Sequence, residues 1–205
     1  LDVPGRVIEA CKRGEPEAFE ELIALTHREV YSLSMRLMGN PDDAAEATQE
    51  TYLKLLRSIR SYRGEAKFST WLYQVTSSVA VSMLRRRARQ RLDVPLDDRD
   101  WATLAAPSSG EPAEQIEQRQ MSQRLEAALA ELPAGYRTVV VMKDVYGFHL
   151  EEIGKQLGIS EGAAKVRLFR ARQRLKERLY EDGPASYGPP VRRAPEKRLE
   201  TGDGM

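Results

Sequence analysis

The sequence predicts an all-α protein of two small helical domains joined by a flexible acidic linker, the second domain containing a helix-turn-helix. Three observations carry that expectation. Apolar residues recur at helical spacing on both sides of a central break. The break, from Leu92 to about Pro112, loses this period and turns acidic and small, with Asp93, Asp97, Asp98 and Asp100 followed by Ala-Ala-Pro-Ser-Ser-Gly-Glu-Pro. Near the end, Gly158 and Ser160 punctuate two helical runs as a helix stop and a helix start do. The expected divisions are residues 1–91, a linker over 92–115, a second domain over 116–180 and a disordered tail over 181–205, rich in proline and glycine.

In the first domain, Gly14-Glu15-Pro16-Glu17 marks a helix start. Phe19, Leu22, Ile23, Val30, Leu33 and Leu37 then keep helical spacing as far as Gly39. Asn40-Pro41-Asp42-Asp43 starts the next helix, predicted to run to about Arg60 with Ala45, Tyr52, Leu55, Leu56 and Ile59 inward. Its outer side carries Asp42, Asp43, Glu46, Gln49 and Glu50 early, and Lys54 and Arg57 late. Acids first and bases last match the helix dipole, and equally suit a docking face for a basic partner. A loop between Ser61 and Phe68 leads into a third helix, through Trp71, Leu72, Val75, Val79 and Leu84, that ends in five arginines among seven residues, Arg85 to Arg91. Of the chain's aromatics (4 Phe, 2 Trp, 8 Tyr), four lie between Tyr62 and Tyr73. Rings near cations suit single-stranded nucleic acid, because bases stack on rings while cations follow phosphates. Trp71 reads as core; Tyr62 in the loop and Tyr73 off the apolar stripe are the candidate base contacts. The arginine run exceeds what a helix C-terminus requires, and phosphate binding accounts for it better.

In the second domain, Ile116, Leu125, Ala128, Leu129 and Leu132 outline a helix ending before Pro133, and Tyr136 to Val145 forms a core helix closed by Gly147. The helix-turn-helix follows, with Gly154 small enough to let its two helices cross closely. At about 100° per residue, Ala164, Leu168, Ala171, Leu175 and Leu179 share the inward side of the last helix. Opposite lie Gly162, Val166, Phe169, Arg170 and Gln173, flanked by Lys165, Arg172 and Lys176 on one edge and Arg167, Arg174 and Arg178 on the other. Apolar and hydrogen-bonding groups between two rows of cations fit a DNA groove: cations for phosphates, the middle for base edges and thymine methyls.

Charge and composition exclude other classes. Lys+Arg 32 against Asp+Glu 31 leaves a net charge of +1, so local basic patches rather than a global field would attract nucleic acid. The single cysteine, Cys11, excludes an internal disulfide and a clustered thiolate metal site, and fits a reducing cytosol. No apolar stretch approaches the roughly 20 residues needed to span a bilayer. With no export signal at the N-terminus either, a cytoplasmic protein without membrane insertion is expected. No P-loop, metal-ligand spacing or serine-nucleophile elbow is present, and His27 and His149 fall in separate domains. The expectation is no enzyme, no metal and no cofactor.

Asp42-Asp43-Ala44-Ala45-Glu46-Ala47-Thr48-Gln49-Glu50-Thr51-Tyr52-Leu53-Lys54, then Tyr62-Arg63-Gly64-Glu65-Ala66-Lys67-Phe68-Ser69-Thr70-Trp71-Leu72-Tyr73, then Leu132-Pro133 and Glu151-Glu152-Ile153 through Arg172, resemble bacterial RNA polymerase sigma factors. The likeness is to the small extracytoplasmic-function group, which keeps only the second and fourth sigma domains. It covers residues 15 to 91 and 120 to 179. It implies a promoter-specificity subunit with core RNA polymerase, promoter DNA and an anti-sigma protein as partners. Asp42, Asp43, Glu46, Gln49, Glu50 and Lys54 would dock on the clamp helices of the largest polymerase subunit, and the second-largest subunit's flap would also be contacted. Tyr62, Arg63, Tyr73, Gln74, Ser78, Ser82, Arg85, Arg86 and Arg87 would hold the melted minus-ten strand. Gly162, Lys165, Val166, Phe169, Arg170 and, from the face derived above, Gln173 would read the minus-thirty-five element. The acidic linker resembles the segment that threads toward the active centre and RNA exit path. Relatives often carry arginine at Gln74, asparagine at Ser78, asparagine or aspartate at Ser82, serine at Val166 and Thr-Val at Ala163-Ala164, so the base preference here belongs to this chain's own residues. A stand-alone helix-turn-helix regulator and a protein-binding adaptor are the rival readings.

Overall fold

The structure, a computed structural model, describes residues 1–90 and 113–181; the expected linker up to residue 112 and the expected tail from residue 182 lie outside the described residues. The described residues form eight α-helices in two bundles, four in each. The first holds α1 (Gly5–Arg13), α2 (Pro16–Met38), α3 (Pro41–Ser58) and α4 (Phe68–Gln90). The second holds α5 (Ala113–Glu131), α6 (Ala134–Val140) with a π-helical turn at Val141–Val145, α7 (Leu150–Leu157) and α8 (Glu161–Glu181). Residues 113 to 115, expected in the linker, belong to α5.

Helix α1 precedes the start expected at Pro16 and was not anticipated. Nine residues give a weak periodic signal, yet Val7, Ile8 and Cys11 are buried, and Gly14 ends the helix with φ 87°. Helix α2 matches the expected span, opening with Pro16 in its first turn and closing at Gly39, φ 79°. Leu22, Val30, Leu33 and Leu37 are fully buried, whereas Ile23, expected inward, is exposed. Asn40 caps α3 as its side chain accepts a hydrogen bond from the Asp43 N–H at 2.9 Å. The buried side of α3 is rotated from the expected one: Ala44, Ala47, Thr48, Thr51 and Leu55 face inward, while Ala45 and Leu56 are exposed. Small residues let α3 approach α2 and α4. The two threonines become tolerable inside because their hydroxyls donate to the carbonyls of Ala44 and Ala47 at 2.7 Å.

The Val139-Val140-Val141 triplet is helical and buried, as the helical neighbours predicted. The apolar core does not respect the division between bundles. One cluster joins Leu33, Leu37, Met38, Val79, Ala80 and Met83 of α2 and α4 to Leu129, Leu132, Tyr136, Val139, Met142 and Ile153 of the second bundle. A second cluster, Val3, Val7, Ile8, Cys11, Leu22, Val30, Leu55, Ile59, Phe68 and Leu72, is confined to the first bundle. The two halves therefore share a core where the sequence suggested one each.

Candidate nucleic-acid interface

The turn between α7 and α8 fixes the last helix. Gly158 adopts φ 62° at the end of α7, and its N–H donates to the Lys155 carbonyl at 3.3 Å. Ser160 accepts from the Ala163 N–H at 3.1 Å, capping α8. At Gly154 an added Cβ would stand 2.9 Å from the Ile159 carbonyl oxygen, so the close crossing needs glycine. Ala164, Leu168, Ala171 and Leu175 are buried and Leu179 is half-buried, as the helical spacing predicted.

The opposite face of α8 is open. Gly162, Lys165, Val166, Phe169, Arg170 and Gln173 are all exposed, Phe169 at 63%. A phenylalanine held in water costs apolar solvation that only a partner can recover. The flanking cations are partly engaged inside the chain. Arg172 makes a two-pronged pair with Asp144 at 2.6 and 2.9 Å, which holds its pKa above the usual arginine value. Arg178 reaches Glu131 at 2.5 Å, Arg170 reaches the Tyr136 hydroxyl at 3.5 Å, and Arg174 lies over the Tyr136 ring at 4.8 Å.

The strand-binding candidates are on α4 and the loop before it. Tyr62 is half-buried: its ring packs on Phe68 and Trp71, with centroids 5.3 and 5.4 Å away, and its hydroxyl donates to the Ala66 carbonyl at 2.7 Å. Arg63 is exposed. Tyr73 is apart from that cluster and meets Tyr146 of the second bundle edge to face at 4.9 Å. Gln74 donates to Glu152 at 3.2 Å, Ser78 accepts from Lys54 at 2.9 Å, and Ser82 donates back to the Ser78 carbonyl at 2.7 Å. Arg85 lies beside the α7–α8 turn, where a Cβ on Gly158 would come 2.8 Å from its guanidinium. Arg86 pairs with Glu46 at 3.0 Å, and Arg87 pairs with both Asp43 and Glu46.

These pairs tie the strand candidates to the docking candidates. Of the α3 acids, Asp43 and Glu46 turn toward the α4 arginines, while Asp42 and Glu50 remain exposed, as does Gln49. Leu53 and Leu56, absent from the expected contact set, are 45% and 49% exposed and share a face with Gln49 at i, i+4, i+7 spacing. That spacing is the signal the sequence holds for this face, and the inward position expected for Leu56 is overturned by its exposure.

Arg137 carried no sequence signal and is the most deeply buried arginine described, 4% exposed. Its partners are main-chain carbonyls: Ala130 at 2.9 Å and Leu132 at 3.5 Å in its own bundle, and Leu37 at 3.1 Å and Met38 at 2.9 Å at the end of α2. Burial pulls its pKa down to about 10, which leaves it charged at neutral pH. Among the described residues, no group of three or more His, Cys, Asp and Glu side chains is placed to hold a metal ion, and no helix is long and apolar enough to cross a membrane.

Two all-α bundles, the second ending in a turn-linked helix with an outward basic and apolar face, place the chain among the sigma-70 proteins. Residues 22–90 match the family model for Sigma-70 region 2, and residues 122–175 match Sigma-70, region 4. The chain belongs to the extracytoplasmic-function (ECF) RNA polymerase sigma factor family. It is 32% identical over 166 residues to ECF RNA polymerase sigma factor SigM of Mycobacterium tuberculosis, covering 81% of this chain and 79% of that one. RNA polymerase sigma factor CarQ of Myxococcus xanthus is 30% identical over 174 residues, 85% of this chain and 96% of its own length. ECF RNA polymerase sigma factor SigE of Mycolicibacterium smegmatis is 35% identical over 162 residues, 79% of this chain, but the match spans only 62% of that longer protein. Among solved structures, sigma factor RpoE in complex with the anti-sigma factor NepR from Bartonella quintana shares the fold, with a TM-score of 0.56 at 23% identity over 80% of this chain and 98% of that one. Membership makes this chain a transcription-initiation protein and not an enzyme.

Proposed function

We propose that this sigma factor binds core RNA polymerase, reads two promoter elements and holds the melted strand between them, with no covalent chemistry of its own. Residues 1–91 act as the docking and strand-melting domain, 92–115 as the acidic linker and 116–180 as the helix-turn-helix domain. The observation that carries the reading is the division of α8 into a buried face, Ala164, Leu168, Ala171 and Leu175, and an exposed one in which Val166 and Phe169 stand among cations. That face supplies base-edge and methyl contacts for the upstream element, while the basic edges fix register on phosphates. Tyr62, Arg63, Tyr73, Gln74, Ser78, Ser82 and Arg85 to Arg87 serve the minus-ten strand. Asp42, Asp43, Glu46, Gln49, Glu50 and Lys54, joined by Leu53 and Leu56, serve the clamp helices of the largest subunit, and the second bundle meets the flap of the second-largest. The protein works in the cytoplasm, where the polymerase is. An anti-sigma partner is part of the reading, supported by the relative of like fold that was crystallised with one.

Run-off transcription with purified core polymerase and a genomic promoter library tests this function. Promoter-dependent transcripts are expected. Core binding without any such transcript would sink it.

A further inference from the structure

We infer that Asp144 is a positioning residue of the DNA-reading surface: it holds the Arg172 guanidinium on one edge of α8, ready for a backbone phosphate. The inference rests on the function proposed above and adds to it a residue outside the helix-turn-helix.

Asp144 stands where an acid is disfavoured twice over. It lies in the last turn of the continuous helix from Ala134 to Val145, at the negative end of the dipole, where a cation is the favoured side chain. It is also within hydrogen-bond reach of a helix proposed to meet phosphates, so its own charge repels the DNA. The contact that offsets both is the fork to Arg172, Nη2 to Oδ1 at 2.6 Å and Nε to Oδ2 at 2.9 Å. Stability does not account for this pair. The Arg172 and Asp144 side chains are 57% and 33% exposed, and ion pairs so open to water add little to a fold.

A two-pronged pair fixes the guanidinium in direction as well as place. It uses the Nε–H and one Nη2–H, which leaves both Nη1 protons on the edge facing away from the carboxylate. A phosphate can take that edge without displacing Asp144. The side-chain freedom an arginine gives up on meeting a phosphate is already given up here, so the contact forms at less entropic cost. The backbone supplies the placement. The Tyr146 N–H donates to the Val141 carbonyl, five residues back, at 3.2 Å, where an α-helix would reach back four. Such widened turns reset the direction of the side chains in them and gather at functional sites. This one keeps Val141 and Met142 buried and turns Asp144 to α8. The opposite edge of α8 is supported from α6 in a similar way, by the Tyr136 ring under the Arg174 guanidinium at 4.8 Å.

The sign of one substitution separates positioning from bare charge. Removing a carboxylate beside DNA tightens binding if Asp144 acts only through its charge, and weakens binding if Asp144 aims Arg172. The assay is fluorescence anisotropy over a range of salt, with each chain assembled on core polymerase and a promoter duplex that the wild type recovers from the genomic library. Asp144→Ala, of unchanged helicity, should bind about three- to tenfold more weakly, with its salt slope falling toward that of Arg172→Ala, a drop of at most about 0.9. In an Arg172→Ala background the same substitution should weaken binding no further. Asp144→Asn keeps the shape and one acceptor oxygen, and should give a smaller loss of the same sign even where the alanine variant does not fold. Binding as tight as wild type or tighter, or an equal loss with Arg172 already removed, would overturn the positioning role. A wild type that recovers no promoter would instead overturn the function beneath it.

Discussion

Phe169→Ala separates a base-reading ring from a packed one. Fully burying a phenylalanine is worth about 1.5–3 kcal/mol, and truncating one in a core costs about 3–5 kcal/mol because a cavity adds to the lost burial. Phe169 is 63% exposed, so little more than a third of that burial term is at stake and no enclosed cavity can form. The expected loss is therefore about 0.5–1 kcal/mol. Its neighbour Leu168, 6% exposed on the inward side of the same helix, supplies the contrast, with Leu168→Ala expected to cost about 2–5 kcal/mol. Urea denaturation gives both values in one experiment, and run-off transcription from a promoter the wild type uses gives the function. Phe169→Ala should fold almost as well as wild type and lose transcription. A stability loss matching that of Leu168→Ala, or full transcription from the folded variant, would refute the assignment of this ring to DNA.

Gly154→Ala should destabilise by about 1–3 kcal/mol in the same denaturation assay, because its methyl would meet the Ile159 main chain, which cannot swing aside as a side chain would. Asn40→Ala removes the cap on α3 and should cost about 1 kcal/mol, with the melting transition remaining cooperative. Replacing Arg86 and Arg87 by alanine should weaken promoter binding by the polymerase complex across sequences and reduce the dependence of log affinity on log salt by up to about 1.4–1.8, depending on whether single or double strands are contacted. Their pairing with Asp43 and Glu46 makes the observed change smaller than that limit.

What could be read from the sequence was set by periodicity and punctuation. The α7–α8 turn was legible in full, since Gly158, Ser160 and the Ala164 to Leu175 spacing are local signals that the packing merely obeys. Helix α3 was legible in extent but not in rotation. An apolar stripe predicts the buried face only when the neighbours are ordinary, and α3 buries alanines and back-bonded threonines while leaving Leu53 and Leu56 in water. Helix α1 was too short to declare itself. Arg137 is beyond reach for a different reason: its partners are main-chain carbonyls, two of them about a hundred residues away, and a carbonyl has no identity in a sequence. The sites show the same division. The outward face of α8 follows from one helix alone, whereas the pairing of Asp43 and Glu46 with Arg87 depends on how α3 lies against α4.

The proposed surfaces are not equally open in the structure. The outward face of α8 is open, as are Asp42, Gln49, Glu50, Leu53 and Leu56 on α3. The proposed surfaces for duplex DNA and for the polymerase are thus open, whereas Tyr73, Gln74 and Arg85 of the proposed strand surface are half-buried. The acids proposed for docking are tied directly to the arginines proposed for the strand, Glu46 to Arg86 and Arg87, and Asp43 to Arg87. A basic partner that drew those acids away would free the arginines for phosphate at the same step.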